Sequence, residues 1–320
     1  MGYSSRRGQR SSRRRPAKTT RRKRSYRKRS RKTGRTRRGR VGVGRRALLN
    51  VTSRKKRNTM LSWTNTTGSG ALGAVIQSPL VVAGSTSGAT LAWVEFVPTA
   101  MDLTDTGSNL NSTSAQAVRT STNCFMRGFA ENIRIETSSP NPWFHRRFCF
   151  TSKALDIINL STKDTPGTDR SIVASGSIET SNGWQRLAAN MALDPQMSDT
   201  YLRHRNLIFK GSQGVDWDDF ITAPLDTSRI DVKYDKTWIY RSGNQQGILK
   251  ETKIWHPMNK SLVYDDDENG AGENTSAYSV SDKRGMGDYH IVDLFSQGSS
   301  GGTSDLIKVR YTSTLYWHER

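Results

Sequence analysis

No Asp or Glu occurs before Glu95, whereas 26 of the chain's 50 Lys and Arg residues stand between Arg6 and Arg57. Everything after residue 57 then holds 24 basic residues against all 28 acidic ones. The formal charge of +22 is therefore a +26 segment joined to a remainder of net −4. Like charges at this density repel, and the segment offers almost no apolar side chains whose burial could offset the entropy of ordering. The expectation is a disordered basic arm over residues 1–57 and one folded domain over residues 58–320. All eight Trp lie after residue 60, in the part that must build a core.

Unbalanced cations in this number require a polyanion, and nucleic acid is the partner that fits. The predicted nucleic-acid-binding residues are Arg6, Arg7, Arg10, Arg13, Arg14, Arg15, Lys18, Arg21, Arg22, Lys23, Arg24, Arg27, Lys28, Arg29, Arg31, Lys32, Arg35, Arg37, Arg38, Arg40, Arg45, Arg46, Arg54, Lys55, Lys56 and Arg57. Arg outnumbers Lys among them, which favours bidentate contact with phosphate. Tyr3 and Tyr26 are too sparse to form a stacking platform, so the arm is expected to bind without reading bases. Arg21-Arg22-Lys23-Arg24 and Arg27-Lys28-Arg29 have the density of nuclear-import signals, although any window of so basic a segment would match. Ala47-Leu48-Leu49-Asn50-Val51 interrupts the charge, and residues 47–57 read as the junction with the folded domain.

From residue 58 onward, short apolar or alternating runs are separated by long Ser-, Thr-, Asn- and Gly-rich stretches. Strands are expected at 91–97, 125–136, 143–150, 206–210, 229–240, 248–255, 289–295 and 306–317. A short helix is expected at 184–191, where Leu187, Ala188 and Met191 recur at helical spacing and Asp194-Pro195 would end it. Strands of irregular spacing with long excursions point to an antiparallel sandwich rather than a parallel α/β sheet. The jelly roll is one such sandwich.

Several chemistries find no support. The five histidines form neither HxH nor HExxH, and no GxxxxGK[ST] loop is present, which argues against a metallo-nuclease or an ATP-driven motor. No cofactor is expected, and no metal. Asp265-Asp266-Asp267-Glu268-Asn269-Gly270 imitates the start of a calcium loop, but Ser276 stands where Glu is required, so an acidic surface loop is the preferred reading. Asp216, Asp218 and Asp219 are a similar cluster without a partner. Cys124 and Cys149 are too few for a disulfide framework and read as buried thiols. No apolar run is long enough to span a membrane, and no apolar segment follows the N-terminal charges as in a secretory signal. Trp63 and the pair Arg146/Arg147 are candidates for further nucleic-acid contacts, with packing preferred for the Trp.

Several short segments carry a family resemblance. They are Ser53-Arg54-Lys55-Lys56-Arg57-Asn58-Thr59-Met60, Phe209-Lys210-Gly211-Ser212-Gln213-Gly214, Ile221-Thr222-Ala223-Pro224 and Trp255-His256-Pro257-Met258-Asn259-Lys260. In these, and in their order along most of the chain, the sequence resembles genomovirus capsid proteins, especially those of gemycircularviruses. More distantly it is similar to geminivirus and circovirus coats. The resemblance implies an all-β antiparallel jelly roll with long loops, self-assembly of about sixty copies into a small T=1 icosahedral shell, and packaging of circular single-stranded DNA. It also implies residence in the virion and the host nucleus, with nuclear-import receptors as further partners and no enzymatic activity. A monomeric nuclear nucleic-acid-binding protein is the alternative. That reading shares the arm but leaves a domain with eight Trp unexplained.

Overall fold

The computed structural model describes residues 44–86, 91–105, 107–164 and 175–319. The expected arm falls mostly on residues 1–43, outside the described residues. Order begins earlier than residue 58. Helix α1 spans Arg45–Thr52, and strand β1 spans Arg54–Thr66. Alternation explains why the basic run RKKR can open a strand. Lys56, Asn58 and Met60 point inward, while Arg54, Lys55, Arg57 and Thr59 stay in solvent.

The chain continues through β2 (Leu72–Ile76), β3 (Leu80–Ala83), β4 (Leu91–Phe96), β5 (Asn123–Thr137), β6 (Trp143–Ser152), α2 (Leu155–Ile158), β7 (Ser177–Thr180) and β8 (Gly183–Ala188). A 3₁₀ turn at Pro195–Met197 leads into α3 (Ser198–Ile208). After it come β9 (Asp231–Tyr240), β10 (Leu249–Val263), the small hairpin β11 (Asp267–Asn269) and β12 (Gly272–Asn274), β13 (Asp288–Gln297) and β14 (Leu306–Glu319).

Two sheets form a sandwich. The first runs β10-β5-β14-β1-β8-β7, with β2 beside β1 and β3 beside β14; the second runs β4-β13-β6-β9. The eight principal strands, in chain order, are β1, β4, β5, β6, β9, β10, β13 and β14. In those ranks the first sheet reads 1-8-3-6 and the second 2-7-4-5, the jelly-roll arrangement of two wound Greek keys. The fold is thus all-β and antiparallel, as expected, with one parallel pairing between β1 and β8.

The sheets differ in how they are covered. In the second sheet β13 and β6 are buried along nearly their whole length. One face packs against the first sheet. The other lies under α2, α3 and the 209–230 loop, where Trp93, Phe148, Phe150, Val292 and Leu294 meet Ile157, Met197, Ile208, Phe209, Phe220 and Ile221. The first sheet is covered on its inner face only. Strand β14 alternates strictly, with Ile307, Val309, Tyr311, Ser313, Leu315 and Trp317 inside. Its outer face is open to water across four strands.

Three expectations need correction. Residues 183–188 form strand β8, not a helix. Trp184, Leu187 and Ala188 fit either spacing, and the long β1 supplies a backbone partner that local propensity cannot foresee. Asp194-Pro195 opens a helical stretch instead of closing one. The Asp194 carboxylate accepts from the Gln196 N–H at 2.9 Å, and proline sits in the first turn, where its missing N–H costs nothing. The strand expected at 206–210 is the end of α3, after which Phe209 bridges to Leu225.

Candidate nucleic-acid interface

Of the predicted binding residues, the twenty from Arg6 to Arg40 lie outside the described residues. Arg45 and Arg46 sit in the first turn of α1. Arg54, Lys55 and Arg57 are exposed on β1, and Arg54 reaches the Thr113 carbonyl at 2.7 Å. Lys56 departs from expectation. It is 3% exposed, pairs with Glu319 of β14 at 2.9 Å, and donates to the Val118 carbonyl and the Thr120 hydroxyl. A buried, fully partnered ammonium is not available to phosphate, so Lys56 is a fastener between β1 and β14.

The open face on which Lys55 and Arg57 lie is organised by register. Lys55, His318, Phe125 and Ser261 stand opposite one another across β1, β14, β5 and β10. The next row is Arg57, Tyr316, Gly128 and Pro257, and the one after it is Thr59, Thr314, Ala130 and Trp255. Farther along lie Lys253, Arg310, Arg134 and Lys308. Among the described residues, Lys55, Arg57, Arg127, Lys253, Lys308 and Arg310 form no ion pair; Arg134 pairs with Glu136 at 3.1 Å. Two aromatic pairs are set among these cations. Phe125 and His318 have ring centroids 6.0 Å apart, and Trp255 and Tyr316 are 5.8 Å apart. Phe125 is 38% and Trp255 46% exposed, large rings to leave in water unless a partner covers them.

A local break in the ladder shapes one end of this face. Between Gly128 and Met126 the pairing shifts against both β14 and β10, so Arg127 is an extra residue that bulges outward. Gly128, at φ +154°, has room for no side chain, because a Cβ there would lie 2.5 Å from the Trp255 ring. Asn259 takes φ +51° on the facing strand and accepts a hydrogen bond from Arg127. Beside this bulge opens a cavity of about 1020 Å³. Leu49 and Asn50 of α1, together with Ser53, wall it from one side; Asn123, Phe125 and Arg127 come from β5, Asn259 and Ser261 from β10, and His318 from β14. Burial lowers the pKa of His318, and the neighbouring Lys55 and Arg127 lower it further, so the ring is neutral at neutral pH.

The charged residues inside the sandwich are of another kind. Arg147 of β6 makes two hydrogen bonds to Asp293 of β13, at 2.7 and 2.6 Å, and lies 2.6 Å from Glu131 of β5. Arg186 of β8 bonds the other Glu131 oxygen and reaches Asp293 at 3.0 Å, with its guanidinium 3.8 Å over the Tyr311 ring. His145 completes the set at 2.7 Å from Asp293. All four ionic side chains are wholly buried. Burial pushes the Asp293 carboxyl up, but Arg147 and His145 outweigh it and hold it well below the carboxylate range. Burial takes His145 the other way, so it stays neutral. The cluster joins the two sheets with its charges balanced.

Arg146, one residue along, points to the opposite face of β6. It takes Asp235 with two bonds and ties down the Phe220 and Ala223 carbonyls at 2.9 and 2.7 Å. Neither member of the Arg146/Arg147 pair is therefore free for nucleic acid. Trp63 packs, partly buried, against Ile178, Leu187 and Ala189.

The remaining candidates also resolve into structure. Asp266 faces away from its neighbouring carboxylates and binds Arg119, which in turn lies 3.8 Å over Tyr264. Asp267–Asn274 is a hairpin turning at Gly270, not a calcium loop. Asp216 accepts from the Ser212 N–H at 2.8 Å, and Asp219 from the Ile221 N–H at 2.9 Å, so both shape the 211–221 loop. Among the described residues no three His, Cys, Asp or Glu side chains are grouped to hold a metal, and no helix is long and apolar enough to cross a membrane. Cys124 and Cys149 are buried free thiols, and burial pushes the Cys149 thiol up to about 12.

No family model and no curated protein matches this chain.

Sequence reasoning did not bring Phe125, Arg127, Trp255, Tyr316 and His318 together on one face. Alternation within each strand was visible, but which strands lie side by side was not. A basic–aromatic face on which Lys55 stands opposite His318, from the other end of the fold, appears only once register is known.

Proposed function

We propose that the protein is the coat subunit of a small single-stranded DNA virus, resembling the genomovirus capsid proteins, and that it assembles with copies of itself around its genome. The observation that carries this reading is the division of charge. Residues 1–44 carry 20 cations and no acid, and they are joined to a folded part, residues 45–320, that holds 30 basic and 28 acidic residues, net +2; the first strand of its jelly roll belongs to a sheet whose outer face is open, cationic and aromatic. A nearly neutral domain can pack closely against its copies, whereas one as basic as the arm would repel them. About sixty copies would bring on the order of 1,200 positive charges from residues 1–44, comparable to the phosphates of a small single-stranded genome. The Arg21–Arg29 clusters would carry the subunit into the host nucleus, where such a genome is replicated.

The test is to express the full chain with single-stranded circular DNA and examine it by negative-stain electron microscopy and nuclease digestion. Uniform small particles that protect the DNA are expected. Deleting residues 1–43 should abolish packaging and leave the domain folded. A full-length chain that remains monomeric at high concentration with DNA present overturns the assembly reading and leaves the monomeric nucleic-acid-binding alternative.

A further inference from the structure

The cavity beside the β5 bulge has a composition that a generic cationic surface does not need. Electrostatic capture of a polyanion requires only unpaired cations, and the open face already supplies them. At the cavity an exposed ring, Phe125, leans on a neutral imidazole, His318, 6.0 Å away. Three amide side chains, Asn50, Asn123 and Asn259, border it, with donors and acceptors in the pattern that meets base edges rather than phosphates. Arg127 lines it and Lys55 stands opposite His318 in register, both cations without an ion pair among the described residues. A volume of about 1020 Å³ is more than one nucleotide requires.

We infer that this cavity receives an unpaired base of single-stranded nucleic acid, stacked on Phe125 and His318, with its flanking phosphates on Arg127 and Lys55. The inference rests on the reading of the protein as a nucleic-acid packager and assigns to the folded domain a task the arm cannot perform. The arm binds by charge and does not distinguish single strands from duplex. A base stacked in the cavity must be unpaired, so the preference for single strands resides in the domain. The location is mechanically sound as well. Helix α1, which walls the cavity, directly follows the basic segment in the chain. The positive-φ Asn259 and the bulge at Arg127 hold the two polar rim groups outward.

The experiment uses the full chain and fluorescence anisotropy with labelled oligonucleotides of one length: single-stranded, duplex, and single-stranded with abasic sites. Affinity is measured across a salt series, since the arm's contribution falls steeply with salt and stacking does not. Phe125→Leu, which keeps apolar bulk but removes the ring, should weaken single-strand binding about tenfold at every salt concentration with no change of salt slope. Duplex and abasic binding should be unchanged by it. Phe125→Trp should keep the single-strand preference. Arg127→Gln should reduce the salt slope by about one. Equal loss on single-strand and duplex, or a Phe125→Leu protein that keeps the parent's preference, overturns the inference. Thermal melts confirm that each variant is folded. Micrographs of the same samples separate the two questions: particles that form normally while the preference is unaffected by Phe125→Leu refute the cavity alone, and a parent chain that forms no particles refutes the assembly reading.

Discussion

The outer face of the first sheet and the space between the two sheets both hold arginine, histidine and aromatic side chains, set among Ser, Thr and Asn outside and among aliphatic residues inside, and the arginines serve opposite ends. On the outer face Lys55, Arg57, Arg127, Lys253, Lys308 and Arg310 are exposed and form no ion pair among the described residues. Between the sheets Arg147 and Arg186 are wholly buried and paired with the carboxylates of Glu131 and Asp293. An exposed cation costs little to leave unpaired and stays available to a ligand. A buried one must be neutralised where it lies, because removing a charge from water costs several kcal/mol. Adjacent residues divide in the same way: Lys55 faces solvent, and Lys56 is locked to Glu319.

The comparison can be broken most directly at Arg147. Replacing it with Met leaves Asp293 and Glu131 short of a counter-ion in a dry interior, and should cost about 5 kcal/mol of stability in urea denaturation. If the variant is as stable as the parent, the cluster is not what joins the sheets. The buried Glu95 gives a second test. It accepts hydrogen bonds from His204 at 2.8 Å and His290 at 3.2 Å, linking β4, α3 and β13. Burial pushes its carboxyl up, yet the two histidines outweigh burial and bring it to about 2 from the usual 4.5. A carboxylate depressed in the folded state stabilises it above the unfolded value and loses that contribution as pH falls. About 3 kcal/mol should therefore disappear between pH 4.5 and 2. Glu95→Gln should be less stable than the parent at neutral pH and show a flatter acid limb.

Lys55 and Lys56 provide the sharpest contrast. Lys56→Ala should lose about 2–3 kcal/mol of stability by stranding Glu319, with nucleic-acid affinity per folded molecule unchanged. Lys55→Ala should leave stability within about 0.5 kcal/mol and weaken binding a few-fold, with a lower salt slope. The reverse outcome would mean that β1 has the opposite facing. The smallest effect belongs to His318, whose pKa burial, Lys55 and Arg127 keep low in the free protein. A bound phosphate would raise it, so the complex takes up a proton. Single-strand affinity should then rise about two- to threefold on going from pH 8 to pH 5.5. In His318→Gln that dependence should vanish.

Much of the architecture was legible before any coordinates. Ile307/Val309/Tyr311/Leu315/Trp317 placed β14 with its inner face correct, whereas the alternation over 229–240 found β9 but not its facing: Ile230 precedes the strand, and a register shift puts Val232 under the helices and Tyr234 between the sheets. Pro98 after an apolar run marked the end of β4. What failed was whatever depended on a distant partner. Residues 183–188 became a strand because β1 passes alongside, and RKKR at 54–57 entered the fold because Glu319, at the far end of the chain, meets Lys56.

Composition alone determined the partition into a segment that repels itself and a domain that does not, because net charge and apolar content are sums over residues and need no neighbours. The order of residues within each segment likewise indicated an all-β domain, since period-two patterning is local. Facing and availability are not local. Whether an arginine is a ligand for phosphate or one corner of a buried ionic cluster depends on the strands beside it, and Arg127 and Arg147 read identically until register puts the first on a bulge in solvent and the second between two carboxylates.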